Sequence, residues 1–130
     1  MNKIVNVAVV GLGQVGNYLN NELIIKKKDI ELKTGKKVNV VAISAKNINK
    51  KRKYKINRKI FYINPFEIFK KEKVDILFEV IGQSDGVSKK LVETALKNKI
   101  HVITPNKALI SKHGNNLAKL AEKNNVNLEF

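Results

Sequence analysis

Apolar residues along this chain fall into short unbroken runs that alternate with longer stretches of helical spacing. The run KIVNVAVV, residues 3–10, is rich in β-branched side chains and closed by Gly11, which predicts a buried strand. Residues 14–33 then repeat apolar positions at helical spacing through Val15, Tyr18, Leu19, Leu23 and Ile30, and Thr34-Gly35 supplies the stop. KVNVVAIS, residues 37–44, predicts a second strand, and a charged loop runs from there to about Asn57. KIFYI, residues 59–63, is a short strand candidate. Asn64-Pro65-Phe66-Glu67 reads as a helix start, with Asn64 as cap, Pro65 at the first position and Glu67 reaching back to the cap amide, and the helix runs to about Lys71. VDILFEVIG (74–82) and IHVIT (100–104) predict two further strands around an amphipathic helix at 87–98, whose apolar side carries Val87, Leu91, Val92, Ala95 and Leu96. Residues 106–124 read as helical in two pieces separated near His113-Gly114, and VNLEF begins another strand. Nearly continuous apolar strands alternating with helices require a parallel sheet covered on both faces, and right-handed crossovers make it doubly wound. The expected fold is a single α/β domain of three layers, α/β/α and Rossmann-like.

Three glycines, Gly11, Gly13 and Gly16, occupy the first strand-to-helix turn. A pyrophosphate at a helix N-terminus is held by unpaired backbone amides and by the helix dipole, and a Cβ in the turn would block it. Gly11 permits the tight turn, Gly13 the close approach to phosphate and Gly16 close helix packing. Gln14 and Val15, inside the same turn, join them as candidate cofactor contacts. A site that prefers NAD places an acid at the end of the second strand to bind ribose hydroxyls, whereas this chain has Ser44-Ala45-Lys46. A missing carboxylate beside a cation favours the 2′-phosphate of NADP, with Lys46 and Arg52 as its partners, and NAD remains the second choice.

The chain has 130 residues, enough for one core but short for a complete two-substrate enzyme. It contains no cysteine, so disulfides, thiolate catalysis and cysteine-held zinc are excluded, in keeping with a reducing cytoplasm. No apolar run approaches the roughly 20 residues of a membrane span, and the N-terminus lacks the apolar block of a signal peptide. A net charge of +15 raises nucleic acid as a partner, yet the lysines are scattered over every segment. Only residues 46–59 are dense enough in lysine and arginine to carry that alternative.

With EVIG at 79–82 and HVITPNKALISKHG at 101–114 added to the glycine turn, the chain resembles the N-terminal cofactor domain of homoserine dehydrogenase over essentially its whole length. Thr104-Pro105-Asn106-Lys107-Ala108-Leu109, followed by His113-Gly114, is the most specific part, and Ser44-Ala45-Lys46 is similar to the SAR of one branch of the family. The resemblance implies NAD(P)-dependent interconversion of L-homoserine and L-aspartate 4-semialdehyde, on the route to threonine, methionine and isoleucine. It implies that Lys107 is the catalytic lysine near the nicotinamide and the reacting oxygen, where a cation stabilises alkoxide charge or relays a proton. Thr104 and Asn106 beside it, and Gly82 near the nicotinamide ribose, are cofactor contacts on the same ground. The family's usual second glycine after Gly82 is replaced by Gln83.

Family members continue into a second domain that holds homoserine, and they leave a homodimer open as the complete assembly. These 130 residues are therefore expected to orient cofactor without turnover, because positioning worth roughly 7–11 kcal/mol is missing. His113 reads as structural, serving a break between helices, and His101 as a strand-boundary residue. Glu79 and Asp75 flank a strand without forming a metal-ligand cluster, so no metal is expected. Two alternatives remain at this point: a regulatory nucleotide-binding module without catalysis, and a basic nucleic-acid-binding protein.

Overall fold

The computed structural model describes residues 3–130. Six strands form one sheet: β1 (Lys3–Val10), β2 (Lys36–Ser44), β3 (Phe61–Tyr62), β4 (Ile76–Glu79), β5 (His101–Ile103) and β6 (Leu128–Glu129). Their spatial order is β3-β2-β1-β4-β5-β6, and every neighbouring pair is parallel. This is the doubly wound order, with the direction of winding reversing beside β1. The helices are α1 (Gln14–Ile25), α2 (Lys27–Thr34), α3 (Ile68–Lys71), α4 (Val87–Lys97) and α5 (Lys107–Lys123).

Alternation along the strands divides the apolar side chains between two layers. Ala8, Val10, Ala42, Leu77 and Val102 share a buried cluster with side chains of α3, α4 and α5. Val9 and Ile43 point the other way, into a smaller cluster with Leu12, Leu23 and residues of the 45–61 segment. A register shift between Val7 and Ala8 sets Val10 opposite Ser44. The carboxyl ends of β1 and β2 consequently meet, and the Gly11 amide donates to the Ser44 carbonyl at 2.9 Å.

Four local expectations are corrected. The helix expected over 14–33 is broken at Lys26, whose backbone leaves the helical region at φ −99°, and α2 buries no residue. With no apolar side chain of α2 wholly covered, nothing holds the two pieces on one axis. The apolar face read through Val15 and Tyr18 points outward, both being more than half exposed, while Gly16, Asn17 and Asn20 face the protein. Close approach at Gly16 sets that rotation. Asn64 caps the Phe66 amide as expected, but Glu67 pairs with Lys71 at 3.4 Å, and its first turn is a 3-10 turn over Pro65–Glu67. Finally, α5 runs unbroken through His113-Gly114. Leu109, Leu117 and Ala121 are buried on both sides of the glycine, which offsets its cost in a helix of about 1 kcal/mol.

Candidate functional site

The three glycines of the first turn answer to different demands. Gly11 has φ +102°, and a Cβ there would stand 2.6 Å from the Val80 carbonyl carbon and oxygen. At Gly16 a Cβ would collide with the Gly11 carbonyl oxygen and come within 3.0 Å of Val80 Cγ2. Both glycines let α1 and its turn pack against the end of β4. Gly13 differs, because a Cβ there would meet nothing within 4 Å and its φ of −71° suits any residue. It is the N-cap of α1, and no side chain caps the amides that follow. At α5, by contrast, the Asn106 side chain accepts from the Leu109 amide at 3.0 Å.

The turn borders a cleft of about 460 Å³ at the carboxyl ends of the strands. One side is formed by Ser44, Ala45 and Lys46, the other by Val80, Ile81 and Gln83. This is the switch point at which doubly wound sheets bind ligands. Lys46, Lys50 and Arg52 all line it, and no carboxylate occurs in the sequence between Glu31 and Glu67. Lys46 is exposed. Arg52 is largely engaged: its Nε donates to the Leu12 carbonyl (3.1 Å), Nη1 to those of Ile48 and Lys50 (both 3.2 Å), and Nη2 to that of Asn47 (2.8 Å). The guanidinium thus organises the loop after β2 and ties it to the glycine turn. Asn17, buried on α1, fastens the same loop further on by bonding both the amide and the carbonyl of Tyr54 at 3.0 Å. Gln14 and Val15 are exposed on the outer side of α1's first turn.

Across the cleft lies a group that the spacing of residues alone did not single out. Glu79, at the end of β4, is fully buried and accepts five hydrogen bonds. Its Oε2 takes the amides of Ile81 (2.8 Å) and Gly82 (3.2 Å) and the Ser88 hydroxyl (3.2 Å). Its Oε1 takes the Thr104 hydroxyl (2.7 Å) and the Asn106 carboxamide (3.3 Å). The same carboxamide donates to the Gln83 carbonyl at 2.6 Å. Thr104 and Asn106 are both buried, their side chains committed to this network, while Lys107 starts α5 exposed to solvent. Gly82 adopts φ +89° within the turn that the network holds. Asn106 therefore ties the start of α5, where Lys107 stands, to this turn; Lys46 and Arg52 line the cleft, whereas Lys107 does not. A signal for Glu79 did exist in the sequence, since an acid inside a strand otherwise made of apolar residues must be paired if it is buried.

The turn after β4 is held once more from outside. Asp85 accepts from Lys112 Nζ at 2.5 Å and lies 2.8 Å from His113 Nε2. The lysine hydrogen bond, then the histidine one, lowers its carboxyl pKa to about 2. His113 is thus structural, acting in mid-helix on the turn rather than at a helix break. His101 opens β5 and accepts the Asn127 amide on Nδ1 at 3.0 Å. Among the described residues no group of three or more His, Cys, Asp or Glu could hold a metal ion, and no helix is long and apolar enough to cross a membrane.

Comparison with known proteins points in one direction. The model of the homoserine dehydrogenase NAD-binding domain matches residues 11–130. The homoserine dehydrogenase of Neisseria gonorrhoeae is 32% identical over 128 residues, which are 98% of this chain and 29% of that protein. That of Corynebacterium glutamicum is 32% identical over 126 residues, 97% of this chain and 28% of its own length. The crystal structure of S. aureus homoserine dehydrogenase at pH 7.5 superposes with a TM-score of 0.90 at 34% identity, covering 98% of this chain and 33% of that one. The chain spans less than a third of the length of the curated relatives it matches.

Proposed function

This chain belongs to the homoserine dehydrogenase family as its NAD-binding domain, and from that premise we propose that it binds NADP(H) in preference to NAD(H) and presents it for oxidation of L-homoserine. The observation that carries the reading is Gly13. Nothing among the described residues requires a glycine there, whereas a pyrophosphate lying against the uncapped N-terminus of α1 does. The amides around Gly13 and Gln14 hold the pyrophosphate, with Val15 flanking them. The 2′-phosphate lies against Lys46, and Arg52 faces it with the one Nη2 hydrogen its carbonyl partners leave over.

Held by the glycine turn and the Lys46 wall, the dinucleotide would supply a hydride acceptor for the alcohol carbon of homoserine. The chain's own part is to fix the nicotinamide ring and to supply Lys107, whose ammonium form lowers the energy of the developing alkoxide or whose neutral amine takes the hydroxyl proton and relays it to solvent. Gly82 gives the ribose room, and Thr104 and Asn106 hold the turn from which Lys107 starts. Homoserine itself is held by groups beyond these 130 residues in a complete family member, a homodimer in its assembled form, working in the cytoplasm. Alone, residues 1–130 bind cofactor without turnover.

Titration with NADPH and with NADH, followed by reduced-nicotinamide fluorescence at physiological salt, tests the reading. Saturable binding with NADPH the tighter is expected. Equal affinities remove the NADP preference, and no binding of either removes the cofactor site.

A further inference from the structure

We propose that Glu79 is a positioning residue for the nicotinamide half of the cofactor, holding the turn after β4 and the Lys107 end of α5 in one fixed relation. The inference rests on the cofactor reading above and adds a residue to it. Its ground is how the two carboxyl oxygens divide their partners. Oε2 collects Ile81, Gly82 and Ser88, which belong to the turn and the first turn of α4. Oε1 collects Thr104 and Asn106, which belong to the approach to α5. One rigid planar group therefore links two segments that are otherwise far apart in sequence.

Every one of these partners donates. The Thr104 hydroxyl accepts the Asn106 amide (3.0 Å) and the Ser88 hydroxyl accepts the Gln83 amide (3.2 Å), so each has its own hydrogen free for Glu79. The amides of Ile81 and Gly82 and the Asn106 carboxamide nitrogen can only donate, so a carboxylate serves all five partners at once. A glutamine fills the same volume, but its amide nitrogen either meets the two donor amides of Ile81 and Gly82 or turns to Thr104 and Asn106 and forfeits the Asn106 bond, which leaves the Asn106–Gln83 bond (2.6 Å) to hold the turn to the approach to α5 from inside. The glycine turn and Lys46 make no hydrogen bond to Glu79, and their hold on the adenosine half is left intact.

That division fixes the experiment. Glu79→Gln is compared with the unaltered chain for two probes, NADPH and adenosine 2′,5′-bisphosphate, which lacks the nicotinamide half. In the variant, NADPH affinity falls tenfold or more and the fluorescence gain of the bound nicotinamide is lost, while the bisphosphate binds within twofold of the unaltered chain. Glu79→Asp keeps an acceptor-only group and recovers part of the NADPH affinity. If Glu79→Gln does not fold, Thr104→Val and Ser88→Ala each remove one donor and shift the ratio of the two affinities at least threefold in the same direction. Parallel loss of both probes, or no change in either, overturns the inference. An unaltered chain that binds neither probe removes the cofactor reading and the inference with it, which separates the two failures.

Discussion

Alanine placed at Gly13 and at Gly16 gives opposite results if one glycine serves a ligand and the other serves packing. At Gly16 the new methyl lands on the Gly11 carbonyl group, with its carbon 2.8 Å away, and 3.0 Å from Val80 Cγ2. Backbone must move, and overpacking of that kind costs about 1–3 kcal/mol. Alanine's advantage over glycine inside a helix returns about 0.5–1 kcal/mol. A net loss of about 0–2.5 kcal/mol remains, centred on about 1 kcal/mol, which lowers Tm by roughly 4 °C in a domain of this size. At Gly13 the methyl meets nothing. A less flexible unfolded chain gains about 0.4–1 kcal/mol, and a poorer N-cap gives back a similar amount. Stability therefore stays within about 0.5 kcal/mol of the unaltered chain. The methyl occupies space needed by the pyrophosphate, so NADPH affinity falls at least tenfold, about 1.4 kcal/mol. Thermal melts and fluorescence titrations on both variants read the two effects separately. A Gly13→Ala chain that binds NADPH as tightly as before refutes the reasoning, as does one that melts as early as Gly16→Ala.

Other consequences can be checked on the same protein. Lys46→Glu sets a carboxylate against the 2′-phosphate site, and the ratio of NADH to NADPH affinity should rise tenfold or more in parallel titrations. Asp85 titrates in the folded chain near pH 2 instead of 3.8, so its contribution to holding the turn is complete above about pH 4 and disappears as pH falls through 2. Carbon NMR of its carboxyl, or the pH at which Asp85→Asn stops differing from the unaltered chain in thermal melts, reads that window. Asn17→Ala leaves the Tyr54 amide and carbonyl without their side-chain partner, at a cost of about 1–3 kcal/mol locally. Exchange of the Tyr54 amide hydrogen should speed up at least tenfold, and unchanged exchange would mean that Asn17 does not hold the loop.

The parallel, doubly wound class of the sheet and the place of the glycine turn were legible because apolar runs, their alternation with helical stretches and turn residues carry them locally. The rotation of α1 was not, since Val15 and Tyr18 look like core until the contact at Gly16 decides which face approaches the sheet. The continuity of α5 was hidden for a similar reason. His113-Gly114 weakens a helix in isolation, but Leu109 and Leu117 hold it from both sides and Asp85 engages the histidine from another segment. Lys46 lines the cleft as its position after β2 requires. Arg52 could be read as a cation but not as the organiser of four carbonyls, because those bonds depend on the folded path of the 47–52 loop. Glu79 is legible only as an oddity in an apolar strand. Its partners beyond the adjacent turn, Ser88, Thr104 and Asn106, lie 9, 25 and 27 positions away and meet it only in the fold.

The bond from Arg52 to the Leu12 carbonyl has a consequence for altering cofactor choice. The loop after β2 and the glycine turn are one mechanical unit, and in the proposed site the first would discriminate between the two dinucleotides while the second would grip what they share. Replacing Arg52 to change selectivity would loosen the common phosphate grip as well, and losses on both cofactors would mask any gain on one. Among the described residues Lys46 has no such tether, so selection for a new preference has a clear path through that position and a penalised one through Arg52.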